Sequence, residues 1–149
     1  MHDEHPHVTS DADPEAVRAA KQIYRLWDEA LGARDVETAA ALYAPDAMLE
    51  SPLVRHLLHS DRGIVQGRDA LRDFIRMAFE RTPPSRRRFR TGFFTDGKKL
   101  IWEYPRATPG EDQMDFAESM EIENGLIRRH CVYWGWFGVK VLEEDRYRH

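Results

Sequence analysis

Cysteine is nearly absent from this chain: one residue of 149, Cys131, carries a thiol. That excludes an internal disulfide and any metal site built from several thiolates, and it suits a reducing compartment. No apolar run approaches the ~20 residues needed to cross a bilayer. Neither sign of charge dominates. The 22 basic and 26 acidic side chains leave a net charge of −4, which gives nucleic acid no reason to bind. The opening MHDEHPHVTSDAD is polar and acidic, unlike the basic start and apolar centre of a secretory signal. Also missing are a glycine-rich phosphate loop, a G-x-S-x-G elbow, internal repeats and a metal-spaced histidine pair on a clear helix, which argues against nucleotide-binding, serine-hydrolase and zinc-hydrolase classes. A soluble, cytoplasmic protein is expected, with no membrane partner, no nucleic acid, no metal and no cofactor.

Apolar material is plentiful: 42% of residues are hydrophobic, with four Trp and seven Phe. That is ample for one domain, which at this length buries about two-thirds of its unfolded surface. Residues 1–12 read as a disordered tail, and His2, His5 and His7 as solvated rather than metal-binding. Asp13 can cap a helix that Pro14 opens. Val17, Ala20, Tyr24, Trp27 and Leu31 then form one stripe, with Gly32 as the stop. Asp35 caps a shorter helix containing Leu42 and Tyr43, which Pro45 ends. Residues 47–54 alternate as a strand, with Leu49, Ser51 and Leu53 on one face, and 55–63 are a connection. A third helix begins at Asp69, carries Leu71, Phe74, Ile75 and Ala78 inward, and stops at Pro83-Pro84.

From residue 86 the period changes to two. Phe89, Thr91 and Phe93 alternate with arginines, Asp96-Gly97 makes a hairpin turn, and Leu100, Trp102 and Tyr104 share one side. The Arg86–Arg90 cluster reads as a solvated strand that discourages aggregation. The tail 138–149 is polar, with at most one helical turn.

The chemistry gathers on residues 112–137. Met114, Phe116, Met120 and Ile122 point one way with Glu118 among them, and Leu126, Arg128, His130, Val132, Trp134 and Trp136 share a face on the returning strand. A two-residue Asn124-Gly125 turn places Glu118 opposite Cys131. A three-residue Glu123-Asn124-Gly125 loop pairs Ile122 with Leu126, so that Glu118 faces His130, Phe116 faces Val132 and Met114 faces Trp134. The second register gathers the apolar residues more completely and is preferred. A carboxylate and an imidazole side by side in an apolar setting can relay a proton near neutral pH, or simply satisfy each other in a core.

Three segments carry a resemblance: ALGARDVETAAALYAPDAMLESP, GRDALRDFI and MEIENGLIRRHCVYWGW. Together they resemble the nuclear transport factor 2-like superfamily over residues 13–137, and the last looks most like its SnoaL-like, polyketide cyclase branch. The resemblance implies an α+β, cystatin-like fold: a cone-shaped, curved, mostly antiparallel sheet packed against three helices from the first half of the chain. It also implies a pocket, and often a homodimer formed through the sheets. Compared with ketosteroid isomerase, Glu118 falls at the protonated acid of the oxyanion hole, Ser51 at the general base and Trp27 near a tyrosine, so the steroid mechanism is only partly kept. The pocket wall is expected to include Leu49, Ser51, Trp102, Tyr104, Phe116, Met120, Val132 and Trp134. Glu118 would act as acid or base with His130 as its partner, and Tyr104 or Ser51 would donate to a substrate oxygen. Two functions fit: a cofactor-independent isomerase, lyase or hydrolase acting on a small hydrophobic carbonyl compound, or a non-catalytic binding or dimerisation module.

Overall fold

Among the described residues three helices start at a side-chain cap and two at a glycine that supplies none. In the computed structural model, which describes residues 5–8, 11–82, 89–105 and 115–145, Asp13 accepts from the Ala16 N–H at 3.2 Å and opens α1 (Pro14–Ala33). Helix α1 runs through Gly32, the expected stop, and ends at Arg34, which adopts a left-handed φ of 53°. The Arg34 guanidinium donates to the carbonyls of Phe79 and Thr82 at the end of α4 (Arg68–Arg81), and these bonds offset the backbone cost of that conformation. Asp35 caps α2 (Val36–Ala41) through the Thr38 N–H and hydroxyl. Helix α4 starts from Gly67, at φ 90°, rather than from Asp69. The Gly67 N–H is held by the Ala47 carbonyl, and the bend there needs a backbone angle that glycine adopts most easily. Asp69 instead pairs with Arg72 in the first turn.

The α+β class and the curved sheet are as expected. Among the described residues seven strands form one sheet in the order β1-β4-β5-β6-β7-β2-β3: β1 (His5–Val8), β2 (Tyr43–Glu50), β3 (Ile64–Gln66), β4 (Gly92–Thr95), β5 (Lys99–Tyr104), β6 (Phe116–Glu123) and β7 (Leu126–Trp134). Four pairings are antiparallel; β1 with β4 and β2 with β7 are parallel. Inward residues of β5, β6 and β7 meet Ala20, Ile23, Tyr24 and Trp27 of α1 and Leu71, Phe74 and Ile75 of α4 in one core. Each large side chain fully buried there contributes about 1.5–3 kcal/mol.

Several expectations need correction. The expected tail contains β1, because the edge of β4 offers main-chain partners that composition does not report. Tyr43 leaves the second helix and begins β2; its strand pairs with β7, where the Ile127 N–H donates to the Leu42 carbonyl. Residues 52–58 are not strand and loop but a short helix, α3 (Pro52–Leu58). Ser51 caps it with Pro52 in the first position, so Leu53, Val54 and Leu57 are buried at helical spacing. The C-terminal segment forms α5 (Trp136–Glu143), whose Leu142 packs on the core. Arg90 is buried, not solvated: its guanidinium lies 3.6 Å over the Tyr24 ring, donates to the Tyr24 carbonyl and stands 3.3 Å from Asp28. Arg86, Arg87, Arg88, the Pro83-Pro84 stop and Met114 lie outside the described residues. Among the described residues no helix is long and apolar enough to cross a membrane.

Candidate functional site

The β6–β7 hairpin joins through two residues, Asn124 and Gly125, both at positive φ (53° and 75°), as a tight type I′ connection requires. Glu123 therefore pairs with Leu126 and Ile122 with Ile127. The next pair is Glu121 with Arg129, so Arg128 is the extra residue of a β-bulge. Beyond it Met120 faces His130, Glu118 faces Val132 and Phe116 faces Trp134. The two-residue register holds at Glu123–Leu126 and fails beyond the bulge, where Glu118 does not meet Cys131, and the preferred three-residue register does not occur. The bulge reverses the alternation on β7: Ile127 is buried and Leu126 half-buried, Arg128 turns out to pair with exposed Glu123, and His130 points inward. Glu118 and His130 thus stand on one face as diagonal rather than direct neighbours, a spacing long side chains can bridge.

They do bridge it. His130 Nε2 lies 2.9 Å from Glu118 Oε1, and His130 Nδ1 lies 2.7 Å from the Tyr43 hydroxyl. The three residues come from β6, β7 and β2, which are adjacent in the sheet. One arrangement of protons satisfies both contacts with a neutral imidazole: Nε2–H donates to the Glu118 carboxylate, and the Tyr43 O–H donates to Nδ1. The Tyr43 phenol is held well above its ordinary pKa by burial first and by the Glu118 charge second, so it remains a donor. Glu118 is 5% and His130 1% exposed, and such burial is tolerated because both groups are bonded. The second carboxylate oxygen, Oε2, makes no hydrogen bond among the described residues. With Nε2–H donating to Oε1 and Tyr43 holding the far nitrogen, the imidazole steadies the carboxylate and leaves Oε2 to take or give a proton with no movement of the heavy atoms.

Aromatic rings enclose this unit. The Trp27 indole stands edge-on to His130 at 5.4 Å and to Tyr43 at 6.1 Å, while the Tyr43 and His130 rings stack at 6.0 Å. Trp102 sits on β5 directly across from Glu118. The buried Nε1 atoms of Trp27 and Trp102 have no hydrogen-bond partner among the described residues.

Leu49, Trp102, Tyr104, Phe116 and Met120 are all buried in the core, and Val132 and Trp134 pack against it half-buried. Tyr104 lies 4.5 Å from the Phe116 ring. Ser51 departs from its expected place on a strand face: its hydroxyl accepts the Leu53 N–H at 3.1 Å as the cap of α3. Trp136, expected on the inner face, is 79% exposed on α5. A groove of about 1030 Å³ lies between the start of α1 and the two hairpin turns, lined by Asp13, Glu15, Asp96, Lys98, Glu123 and Arg128 among others, and none of the ten expected site residues lines it. His56 bonds Asp145 at 3.0 Å. Among the described residues no group of three or more His, Cys, Asp or Glu could hold a metal ion.

Tyr43 is the residue that the sequence reading missed. Its signal was the inward spacing of Tyr43, Ala47 and Leu49, a period of two interrupted at exposed Pro45, which marks a strand start rather than a helix end.

The profile of the SnoaL-like domain matches residues 23–130. No curated protein matches the sequence significantly. Solved structures show the same fold. A SnoaL-like protein of Burkholderia thailandensis E264 superposes with a TM-score of 0.67 at 16% identity, covering 79% of this chain and 95% of that one. A steroid delta-isomerase from Pseudomonas aeruginosa gives 0.64 at 17%, covering 94% of each chain. The epoxide hydrolase/cyclase-like enzyme SalBIII of pyran ring formation in salinomycin gives 0.59 at 15%, covering 80% and 93%.

Proposed function

Since the chain belongs to the SnoaL-like domain family, we propose that it binds a small hydrophobic carbonyl compound and moves a proton on it without a cofactor, as an isomerase, lyase or hydrolase. Glu118 is the acid or base, acting through Oε2. His130 is its partner, donating through Nε2–H to Oε1, and Tyr43 fixes the imidazole. The observation that carries this reading is the hydrogen-bonded Tyr43–His130–Glu118 chain, which begins at a phenol and ends at a carboxylate whose second oxygen makes no hydrogen bond among the described residues. Leu49, Trp102, Tyr104, Phe116, Met120, Val132 and Trp134 would surround the ligand, with Ser51 at the margin. Two of the similar folds are named for reactions on steroid and polyether molecules; at such low identity they support the fold and the reading rests on the site.

A thermal-shift screen of small ketones, lactones and aromatics finds the ligand, because a compound that binds only the folded state raises the melting temperature. With a substrate identified, Glu118→Gln abolishes turnover and keeps binding within about threefold. Full activity in that variant would remove Glu118 from the mechanism.

One observation favours a second reading, a non-catalytic binding module: Glu118 and His130 are 5% and 1% exposed, as expected of a structural polar cluster. There Glu118→Gln changes stability and no turnover is found with any bound compound. In either case we propose a homodimer through the outer face of the sheet, where Phe94, Ile101 and Tyr133 stand exposed. Light scattering gives its mass, and Tyr133→Glu separates the protomers.

A further inference from the structure

Two hydrogen-bond donors in the core are not accounted for by the proton relay. Trp27 is 6% and Trp102 1% exposed, and neither indole N–H meets an acceptor among the described residues. Folded proteins rarely leave such donors unpaired, because a buried N–H that has lost water and gained nothing is destabilising. A phenylalanine at either place would fill much of the same volume without that penalty. The two indoles also share a neighbourhood. Trp27 reaches in from α1 with its ring perpendicular to His130 at 5.4 Å, and Trp102 stands on β5 across from Glu118, the other end of the same hydrogen bond. Of the two hydroxyls expected to serve a substrate oxygen, those of Tyr104 and Ser51, the second is placed as a helix cap that accepts from the Leu53 N–H.

We infer that Trp27 and Trp102 bind the oxygen of the ligand: their Nε1–H groups donate to a carbonyl oxygen held beside Glu118 Oε2. The inference rests on the proton-transfer reading for the place of the ligand, and it adds the groups that select it. The chemistry is consistent. Glu118 Oε2 takes a proton from the carbon next to the carbonyl, the C–H electron pair moves into the new C=C bond, and the carbonyl π pair moves to oxygen. The negative charge therefore grows where two neutral N–H donors stand in a water-poor site, the place where fixed donors lower a barrier most. Where the substrate carries a C=C bond β,γ to the carbonyl, return of the same proton from Oε2 to the γ carbon re-forms the carbonyl and shifts that double bond, completing an isomerisation with no oxidant or reductant consumed.

Donors of this kind discriminate sharply, since an analogue that cannot accept leaves them unpaired again. The test uses the full chain labelled with ¹⁵N at its indoles and imidazoles and three matched pairs: cyclohexanone with methylenecyclohexane, acetophenone with α-methylstyrene, and 2-decalone with 2-methylenedecalin. Four indole cross-peaks are assigned from single Trp→Phe variants. The expected result is that a ketone binds at least about fivefold more tightly than its hydrocarbon partner. It moves the Trp27 and Trp102 peaks and leaves exposed Trp136 unmoved. Trp27→Phe and Trp102→Phe each weaken ketone binding about fivefold and hydrocarbon binding by less than about twofold. The wild-type spectra decide the matter even if a variant folds poorly. A ketone that binds and shifts the His130 ring resonances while either indole peak stays fixed overturns this assignment and leaves the relay standing. If none of the three ketones binds at saturating concentration, both the assignment and the relay reading fail.

Discussion

Replacing Tyr43 with phenylalanine removes a single oxygen from the interior and tests whether His130 is held from both sides. The ring itself is fully buried and stays in place, stacked on the imidazole. What changes is His130 Nδ1, which loses a partner at 2.7 Å. Water cannot readily replace it, because the imidazole is 1% exposed. The cost is therefore that of a buried acceptor left unpaired, about 1–3 kcal/mol, rather than the smaller net worth of an exposed hydrogen bond. In a domain of this size each kcal/mol is about 2–4 °C in melting temperature, so a fall of about 2–12 °C is expected. A second signature is coupling. Glu118→Gln keeps an oxygen opposite Nε2 but removes the charge, and both partners act through one ring. The double variant should depart from additivity by about 0.5–3 kcal/mol. Urea unfolding followed by tryptophan fluorescence supplies the free energies, and the ¹⁵N shifts of the His130 ring report the tautomer, with the proton on Nε2 in the wild type. A melting temperature lowered by less than about 1 °C, together with additivity within about 0.3 kcal/mol, would refute the three-residue chain.

Deleting Arg128 removes the bulge residue and leaves Ile127, Arg129 and His130 in plain alternation on the faces they already occupy, so the pairs Glu121–Arg129 and Met120–His130 are kept. No buried side chain changes face, so the unfolding free energy should change by less than about 1 kcal/mol in a urea titration, and a loss of about 3 kcal/mol would show that the bulge itself is needed. Arg128→Ala, which gives up an exposed pair with Glu123, should cost less than about 1 kcal/mol in the same urea titration. At Gly97, where φ is +88° and an added Cβ would lie 2.8 Å from the Ala16 Cβ, alanine should lose about 1–3 kcal/mol, read as a lowered urea midpoint. The pH dependence has two predictable limbs. The Asp96 carboxyl is held below the usual carboxylate range by the N–H groups of Lys99 and Lys98, so its stabilisation is full above the unfolded pKa of about 4 and is lost as pH falls through the lower folded value. Melting curves from pH 6 to 3 should show a shallower acid limb in Asp96→Asn. Tyr43, with its pKa raised, contributes stability that is full below about pH 10 and declines above it, as only the unfolded phenol ionises. Tyr43→Phe should flatten that alkaline limb.

Much of the fold was legible because its signals are local. The caps at Asp13 and Asp35, the Asp96-Gly97 turn and the alternation of Leu100, Trp102 and Tyr104 all appear where spacing placed them. Ser51-Pro52 was equally local, yet the alternation running from Leu49 to Leu53 masked it. What could not be read from spacing depends on partners distant in sequence. Strand β1 exists through the edge of β4. Arg90 is buried because Tyr24 and Asp28 receive it, which a run of arginines does not advertise. Tyr43 joins the site through β7, more than eighty residues further along the chain.

The hairpin makes the same point about the site. Glu118 and His130 were the right pair, but for a reason the turn alone does not supply. A two-residue turn with strict alternation puts Glu118 opposite Cys131 and sends His130 to the other face, while a three-residue loop aligns the pair directly. The protein has the two-residue turn and restores His130 to the inner face with one extra residue, Arg128. That displacement does more than rescue the contact. It makes Glu118 and His130 diagonal neighbours, so the imidazole lies along the sheet between Glu118 on β6 and Tyr43 on β2, one nitrogen toward each. A directly opposed pair would have met face to face across two strands, without this alignment toward the third. The bulge, a local break in pairing, is therefore what turns a two-residue contact into a three-residue chain.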